Sequence, residues 1–232
     1  MSDSHDLKTY RLFQLTDSLF PTGAFACSYG LEAYAQEGVV HDAATLSSFI
    51  ATSVRIALGR GDGLFASMSY VSSKNQAWNQ IIAFDGMINA MKIAKEAREA
   101  SVKIGRRLTS TMASVYPRHG TRKLSSMVKT RSICGHHAVM FGGLCAHLDI
   151  SQKDCVQVFL YTWLSCVVSA AIRLRIIGPI EGQQQIASQM PLLTEVSDTI
   201  LNRRAEDLAP SSPGLDIRMM THEKSYSRLF IT

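Results

Sequence analysis

The stretch Lys92-Ile-Ala-Lys-Glu-Ala-Arg-Glu-Ala-Ser-Val-Lys-Ile-Gly-Arg-Arg-Leu-Thr-Ser-Thr-Met-Ala-Ser-Val-Tyr116 carries the period that decides the fold. Ile93, Ala97, Ala100, Ile104, Leu108, Met112 and Val115 recur every three or four residues. That spacing stacks side chains along one side of an α-helix. The opposite side sets Lys92/Glu96, Lys95/Glu99 and Glu99/Lys103 four residues apart, pairs worth about 0.2–0.5 kcal/mol each. Pro117 cannot continue the hydrogen-bond ladder and stops the helix.

The same period extends in both directions. Upstream it predicts helices over Leu64–Val71 and Asn75–Met91, with Gly59-Arg-Gly-Asp-Gly63 as a tight turn before them. Asp42 is placed to cap a helix carrying Leu46, Phe49, Ile50, Val54, Ala57 and Leu58, with Gly59 as its stop. A short helix is expected from Ser28 to Gln36, and another from Leu7 to Leu19, ended by Pro21 and Gly23. Downstream, a helix follows Gly135 as far as Leu148, with Ala138, Gly142 and Ala146 four residues apart. Small residues so spaced admit a second helix at close range, either in an ordinary core crossing or at a subunit seam. Ser151-Gln-Lys-Asp154 is a capping-box variant, and Val156–Ile172 behind it carries no charge. Gln157, Tyr161, Thr162, Ser165 and Ser169 are scattered through that run, so it predicts a buried central helix rather than a membrane span. Gly178-Pro179 opens a polar helix start, and a further amphipathic helix is expected near Leu192–Leu208. No run alternates apolar and polar residues. The sum is an all-α fold: one domain of about nine or ten helices over 1–208, a linker at 209–214 and a partner-binding tail at 215–232.

Apolar residues make up 46% of the 232 and charged residues 19%, which excludes a disordered tail, a collagen-like chain and a charged coiled coil. Cys27, Cys134, Cys145, Cys155 and Cys166 are odd in number and form no CxxC pair. With no basic n-region or apolar h-region in MSDSHDLK, they read as reduced thiols in a cytoplasmic protein. The formal charge of +5 is unevenly placed: eleven basic and two acidic side chains fall between Lys92 and Arg131, a local +9 that leaves −4 elsewhere. Arg98, Lys103, Arg106 and Arg107 then form a candidate basic contact face for an anionic partner, or a solvated helix side.

The sequence holds no GxxxxGK[ST], no GxGxxG, no GxSxG and no HExxH, so no motif for nucleotide hydrolysis, acyl transfer or zinc proteolysis is in evidence. Cys134 and His137 share a helix side and could touch one ion, but two ligands fall short of the three or four of a stable site. A small helical metalloenzyme would need distant ligands. A nucleic-acid-binding domain built on Lys92–Arg131 is the other alternative. It is opposed by Glu96 and Glu99 among the cations and by the lack of a recognition helix or stacking aromatics. Pro21-Thr-Gly-Ala-Phe-Ala-Cys-Ser28 reads as a loop that either serves function or tucks Phe25 into the core. Thr221–Ile231 mixes aromatics, Arg and aliphatics, a composition suited to docking in a partner's groove or to folding back on its own domain.

Five segments in order, Leu15-Thr-Asp-Ser-Leu-Phe-Pro-Thr-Gly-Ala-Phe-Ala-Cys-Ser-Tyr-Gly-Leu-Glu32, Ala97-Arg-Glu-Ala-Ser101 with Gly105-Arg-Arg107, Gly135-His-His-Ala-Val139, Gly178-Pro with Gly182-Gln183, and His222-Glu-x-x-Tyr-Ser-Arg-Leu229, closely resemble the urease accessory protein UreF family. The resemblance implies a non-enzymatic helical scaffold, usually a dimer, that joins the accessory protein UreD (UreH) and recruits the GTPase UreG. That assembly delivers nickel to apo-urease, and no resident cofactor or metal is expected of the scaffold itself. It also implies that Phe25 and Tyr161 lie on docking surfaces, and that Glu223, Tyr226 and Arg228 belong to a tail anchored to UreD. Cys27 stands where many of these proteins have histidine; the thiol either meets passing nickel or packs.

Overall fold

The computed structural model describes residues 3–209, 212–222 and 229–231, and within them the chain is all-helical, with no strand. Helix α1 spans Asp3–Thr16, α2 Leu31–Gln36, α3 Ala43–Ser53, α4 Gly63–Lys74, α5 Trp78–Met91 and α6 Lys95–Val115. Then come α7 His119–Lys129, α8 His137–Cys145, α9 Gln152–Arg173, α10 Pro179–Leu201 and α11 Pro213–His222. Asp42 caps α3 as expected: its carboxylate accepts the Thr45 N–H while the Thr45 hydroxyl accepts the Asp42 N–H. Ser151 caps α9 in the same way through the Asp154 N–H.

Helix α9 is the centre. Cys155, Val156, Phe159, Leu160, Trp163 and Leu164 are all buried, and α1, α4, α8 and α10 pack around it. It is long and apolar enough to cross a membrane by length and composition, yet most of that run is buried inside the fold.

The crossing of α8 over α4 depends on Gly142. A Cβ there would lie 1.9 Å from the Ala66 carbonyl oxygen, so the small-residue spacing serves a core crossing. We expect Gly142→Ala to destabilise the fold by about 2–3 kcal/mol, because two backbones must separate. A urea midpoint unchanged from the parent chain would contradict this.

Four elements differ from expectation. The α3 helix does not stop at Gly59; a π-helical stretch, Val54–Asp62, carries it into α4 with a bend at Gly61 (φ −133°, ψ −111°) in place of a turn. The glycines mark the approach of α10, whose Val196 and Ile200 lie against Gly59 and Gly63. Helix α10 runs unbroken through Pro191, because Pro191 and the Ala187 carbonyl it deprives of a partner both lie on an exposed face where water replaces the lost bond. Helix α7 occupies a stretch to which the periodicity assigned no element. Residues 213–222, expected as linker and tail, form α11, which packs on α2 and α6 with Leu215 buried.

Candidate partner-docking surface

The segment after α1 folds into a short 3-10 turn, Ala24–Ala26, entered through Gly23 at φ +82°. Ala24 and Cys27 bury themselves against Ala100 and Ile104 of α6 and Cys166 of α9, with Phe25 and Tyr29 packed on the rim of that small cluster. Phe25 is half-buried, neither free in solvent nor inside the core. Cys27 is 1% exposed, so its thiol packs and faces no solvent. Its neighbour Cys166 has its pKa pushed up to about 12, first by burial and then by the adjacent Cys27. The Cys166 sulfur is therefore no ready thiolate. Tyr161 is half-buried on α9 and packs against the main core, in a different cluster from Phe25.

The C-terminal end meets this loop. Glu32 of α2 is 2% exposed, and its carboxylate accepts the N–H groups of Leu229 (2.8 Å) and Phe230 (3.2 Å). The Ile231 N–H donates to the Ala26 carbonyl at 2.9 Å, and the buried Phe230 ring lies 4.0 Å beneath the Arg173 guanidinium. A buried carboxylate requires such donors, and backbone N–H groups from a distant segment supply them. Two sequence motifs almost two hundred residues apart thus share one hydrogen-bonded junction. Glu223, Tyr226 and Arg228 lie outside the described residues. Neither Glu32 nor Arg173 was foreseen as an anchor, although an acid closing the Ser-Tyr-Gly-Leu-Glu32 run just where a short helix begins was a visible oddity.

A second junction joins two further motifs. Asp85 of α5 is 1% exposed and accepts the N–H groups of Cys134, Gly135 (3.0 Å) and His136 (2.8 Å). The His136 ring is fully buried between Asn89 Oδ1 and Ser101 Oγ, each 3.1 Å away. The amide oxygen of Asn89 accepts from Nε2–H, which leaves Nδ1 to accept from the serine hydroxyl. Gly105 makes room for this loop: a Cβ there would lie 2.2 Å from the Gly135 oxygen. Burial lowers the His136 pKa to about 4, with Lys92 and Arg98 adding to the shift and Asp85 opposing it.

Beside this junction lies a mainly apolar cavity of about 120 Å³, lined among others by Phe65, Ile88, Trp163 and His137 and closed by Leu215 and Met219 of α11. The Asp62–Lys92 ion pair (2.9 Å) also borders it. Burial lowers the His137 pKa to about 4 as well, in a ring set against Phe141 and Phe159.

The candidate basic face divides. Arg98 turns back to the Lys92 carbonyl (2.7 Å) and braces the α5–α6 connection, while Arg106 donates to the Cys134 carbonyl (2.8 Å) and braces the second junction. Lys103 and Arg107 are exposed and form no ion pair among the described residues.

The profile of the family described as UreF matches residues 40–189, well over half of the chain. The chain belongs to the UreF family. It is 32% identical to the urease accessory protein UreF of Bacillus sp. (strain TB-90) over 95% of its own length and 97% of that protein. It is 30% identical to the UreF proteins of Lachnoclostridium phytofermentans and Paenarthrobacter aurescens, again over nearly the whole of each chain. The family profile spans the Asp85 junction and reaches from α3 into α10, and the three relatives extend the likeness over nearly the whole chain. Among the described residues, this UreF chain places no group of three or more His, Cys, Asp or Glu side chains where they could hold a metal ion. The helix side expected to carry both Cys134 and His137 does not exist: α8 begins at His137, and Cys134 sits in the loop anchored by Asp85.

Proposed function

We propose that this chain is a urease maturation factor: a non-enzymatic scaffold, acting as a homodimer in the cytoplasm, that bridges the accessory protein UreD (UreH) and the GTPase UreG. Nickel is the cargo of that assembly, passed to apo-urease in a GTP-dependent step. The Pro21–Ser28 loop, presenting Phe25 on a mount that the packed Cys27 holds from beneath, and the basic face of Arg98, Lys103, Arg106 and Arg107 meet the GTPase side, and Tyr161 lies on a further docking surface. The tail with Glu223, Tyr226 and Arg228 grips UreD. A scaffold of this kind acts on a GTPase only through a difference in affinity for its nucleotide states, so the loop must fit one state better than the other.

The observation that carries this reading, within the family it belongs to, is the Glu32 junction. The loop and the chain terminus are fastened together by Glu32, Ala26 and Arg173, so a partner that engages the tail alters the mounting of the Phe25 loop. The test is co-purification with tagged UreD and UreG. Removing residues 223–232 while keeping α11 is expected to weaken UreD retention at least about tenfold, the effect of losing about 1.4 kcal/mol. Glu32→Gln should weaken it in the same direction, because a neutral amide is a poorer acceptor for two N–H groups. Undiminished UreD retention in both variants would overturn the tail's part in the assembly.

A further inference from the structure

We infer that the groove between α6 and α7 is a docking site for a carboxylate-rich segment of a protein partner. Two adjoining open depressions make it, sharing Ser110. The first, about 760 Å³, is flanked by Lys103, Arg106 and Arg107 of α6 and Val128 of α7. The second, about 450 Å³, lies between Ser114 of α6 and Arg122, Ser126 and Lys129 of α7. From Lys103 to Ser114 the groove follows α6 for about 16 Å, three turns of helix. That is long and open for a small metabolite, which binds in an enclosing cleft.

Charge decides the occupant. Lys103, Arg107, Arg122 and Lys129 are exposed, and none is ion-paired with a described residue, whereas Lys92 and Arg118 of the same basic stretch have found Asp62 and Asp149. Among the described residues, the only acid lining the groove is Glu99, at one end. Four like charges in one stripe repel one another, and carboxylates laid along it relieve that repulsion. The hydroxyls of Ser114 and Ser126 donate no side-chain hydrogen bond within the described structure, and they supply neutral donors between the cations. Nucleic acid fits less well. Among the described residues, no aromatic lines either depression to stack a base. Arg122, Ser126 and Lys129 add an α7 wall to the α6 contact face proposed above. The inference rests on that reading only for which partner brings the acidic segment.

The experiment uses the full chain and three labelled probes of equal length: oligo-glutamate, oligo-glutamine and single-stranded DNA. Fluorescence anisotropy is expected to show oligo-glutamate bound best, with affinity falling as salt is raised. Arg122→Glu with Lys129→Glu should weaken that binding at least about tenfold, and Arg122→Gln with Lys129→Gln about threefold. Lys74→Glu with Arg175→Glu, which changes the net charge as much as the first pair but lies outside the groove, should change it less than about twofold. Equal binding of oligo-glutamine, equal loss in the control pair, or preference for DNA would each overturn the inference. Its fate is separate from that of the proposed function. Intact UreD retention with no peptide binding sinks the groove alone, and peptide binding without UreD retention sinks the scaffold reading alone.

Discussion

Replacing Asp85 by alanine is expected to lower the stability of this chain by about 3–5 kcal/mol. The carboxylate holds three backbone N–H groups in a row, those of Cys134, Gly135 and His136, and at 1% exposure no water stands ready to replace it. Each buried N–H left without an acceptor costs about 1–3 kcal/mol, offset in part by sparing the burial of a charge. Asp85→Asn separates the two contributions. One amide oxygen still accepts from two of the donors, but the amide N–H₂ opposes the third, so an intermediate loss is expected. Urea unfolding gives the magnitude, and hydrogen exchange at Cys134–His136 shows whether the loss is local to the junction. A loss below about 1 kcal/mol for alanine would mean that the loop finds other acceptors and that Asp85 is no anchor.

This residue also shows where sequence reading stops. Asp85 is the only charged residue in Trp78–Met91, a helix otherwise apolar or neutral, and such isolation is a readable sign of a buried anchor. Which backbone it would anchor is not readable, because the partner lies about fifty residues away and is set by the packing of α5, α6 and α8. Periodicity found α3 and α6 because each has one apolar side, whereas α8, buried all round, is legible from its small residues four apart and α9 from an uncharged run behind the Ser151 cap. In α6 it went astray at the ends, where Ile93 and Val115 are exposed and the helix begins at Lys95, and in two expected pairs, since Lys92 meets Asp62 and Lys103 forms no ion pair with a described residue. It failed at Gly59–Gly63 and Pro191 for one shared reason. Glycine and proline are read as breaks, yet a glycine can serve close packing and a proline on a wet face leaves the helix intact. The Glu32 junction was beyond reach for another reason, since its donors are main-chain groups with no side-chain signature.

Between pH 6.5 and 4 the chain is expected to lose several kcal/mol of stability, most of it through His136 and His137. Both imidazoles have pKa values of about 4 in the folded state, lowered from 6.5 mainly by burial. The unfolded chain therefore binds protons first as pH falls, and stability declines across that window. The contribution is fully present above 6.5 and fully lost below about 4. At 1.36 kcal/mol per pH unit, each histidine accounts for up to about 3 kcal/mol. His137 contributes less than that ceiling, since its ring borders the cavity and gains some solvation there. The carboxylates whose pKa is lowered, Asp149 and Asp154 among them, act further down the scale. Asp149, held down by Arg118 and Arg11, loses its contribution only as pH falls below its ordinary 3.8 toward its lowered folded value. His137→Leu keeps the packing against Phe141 and Phe159 but removes one titration, so it should flatten the decline by a third to a half, roughly 1–3 kcal/mol. Urea midpoints at several pH values decide the matter. A curve level from pH 7 down to pH 5 would show that neither ring is held neutral by the fold. The Asn89–His136–Ser101 network would then have to be redrawn with a charged imidazolium donating from both nitrogens.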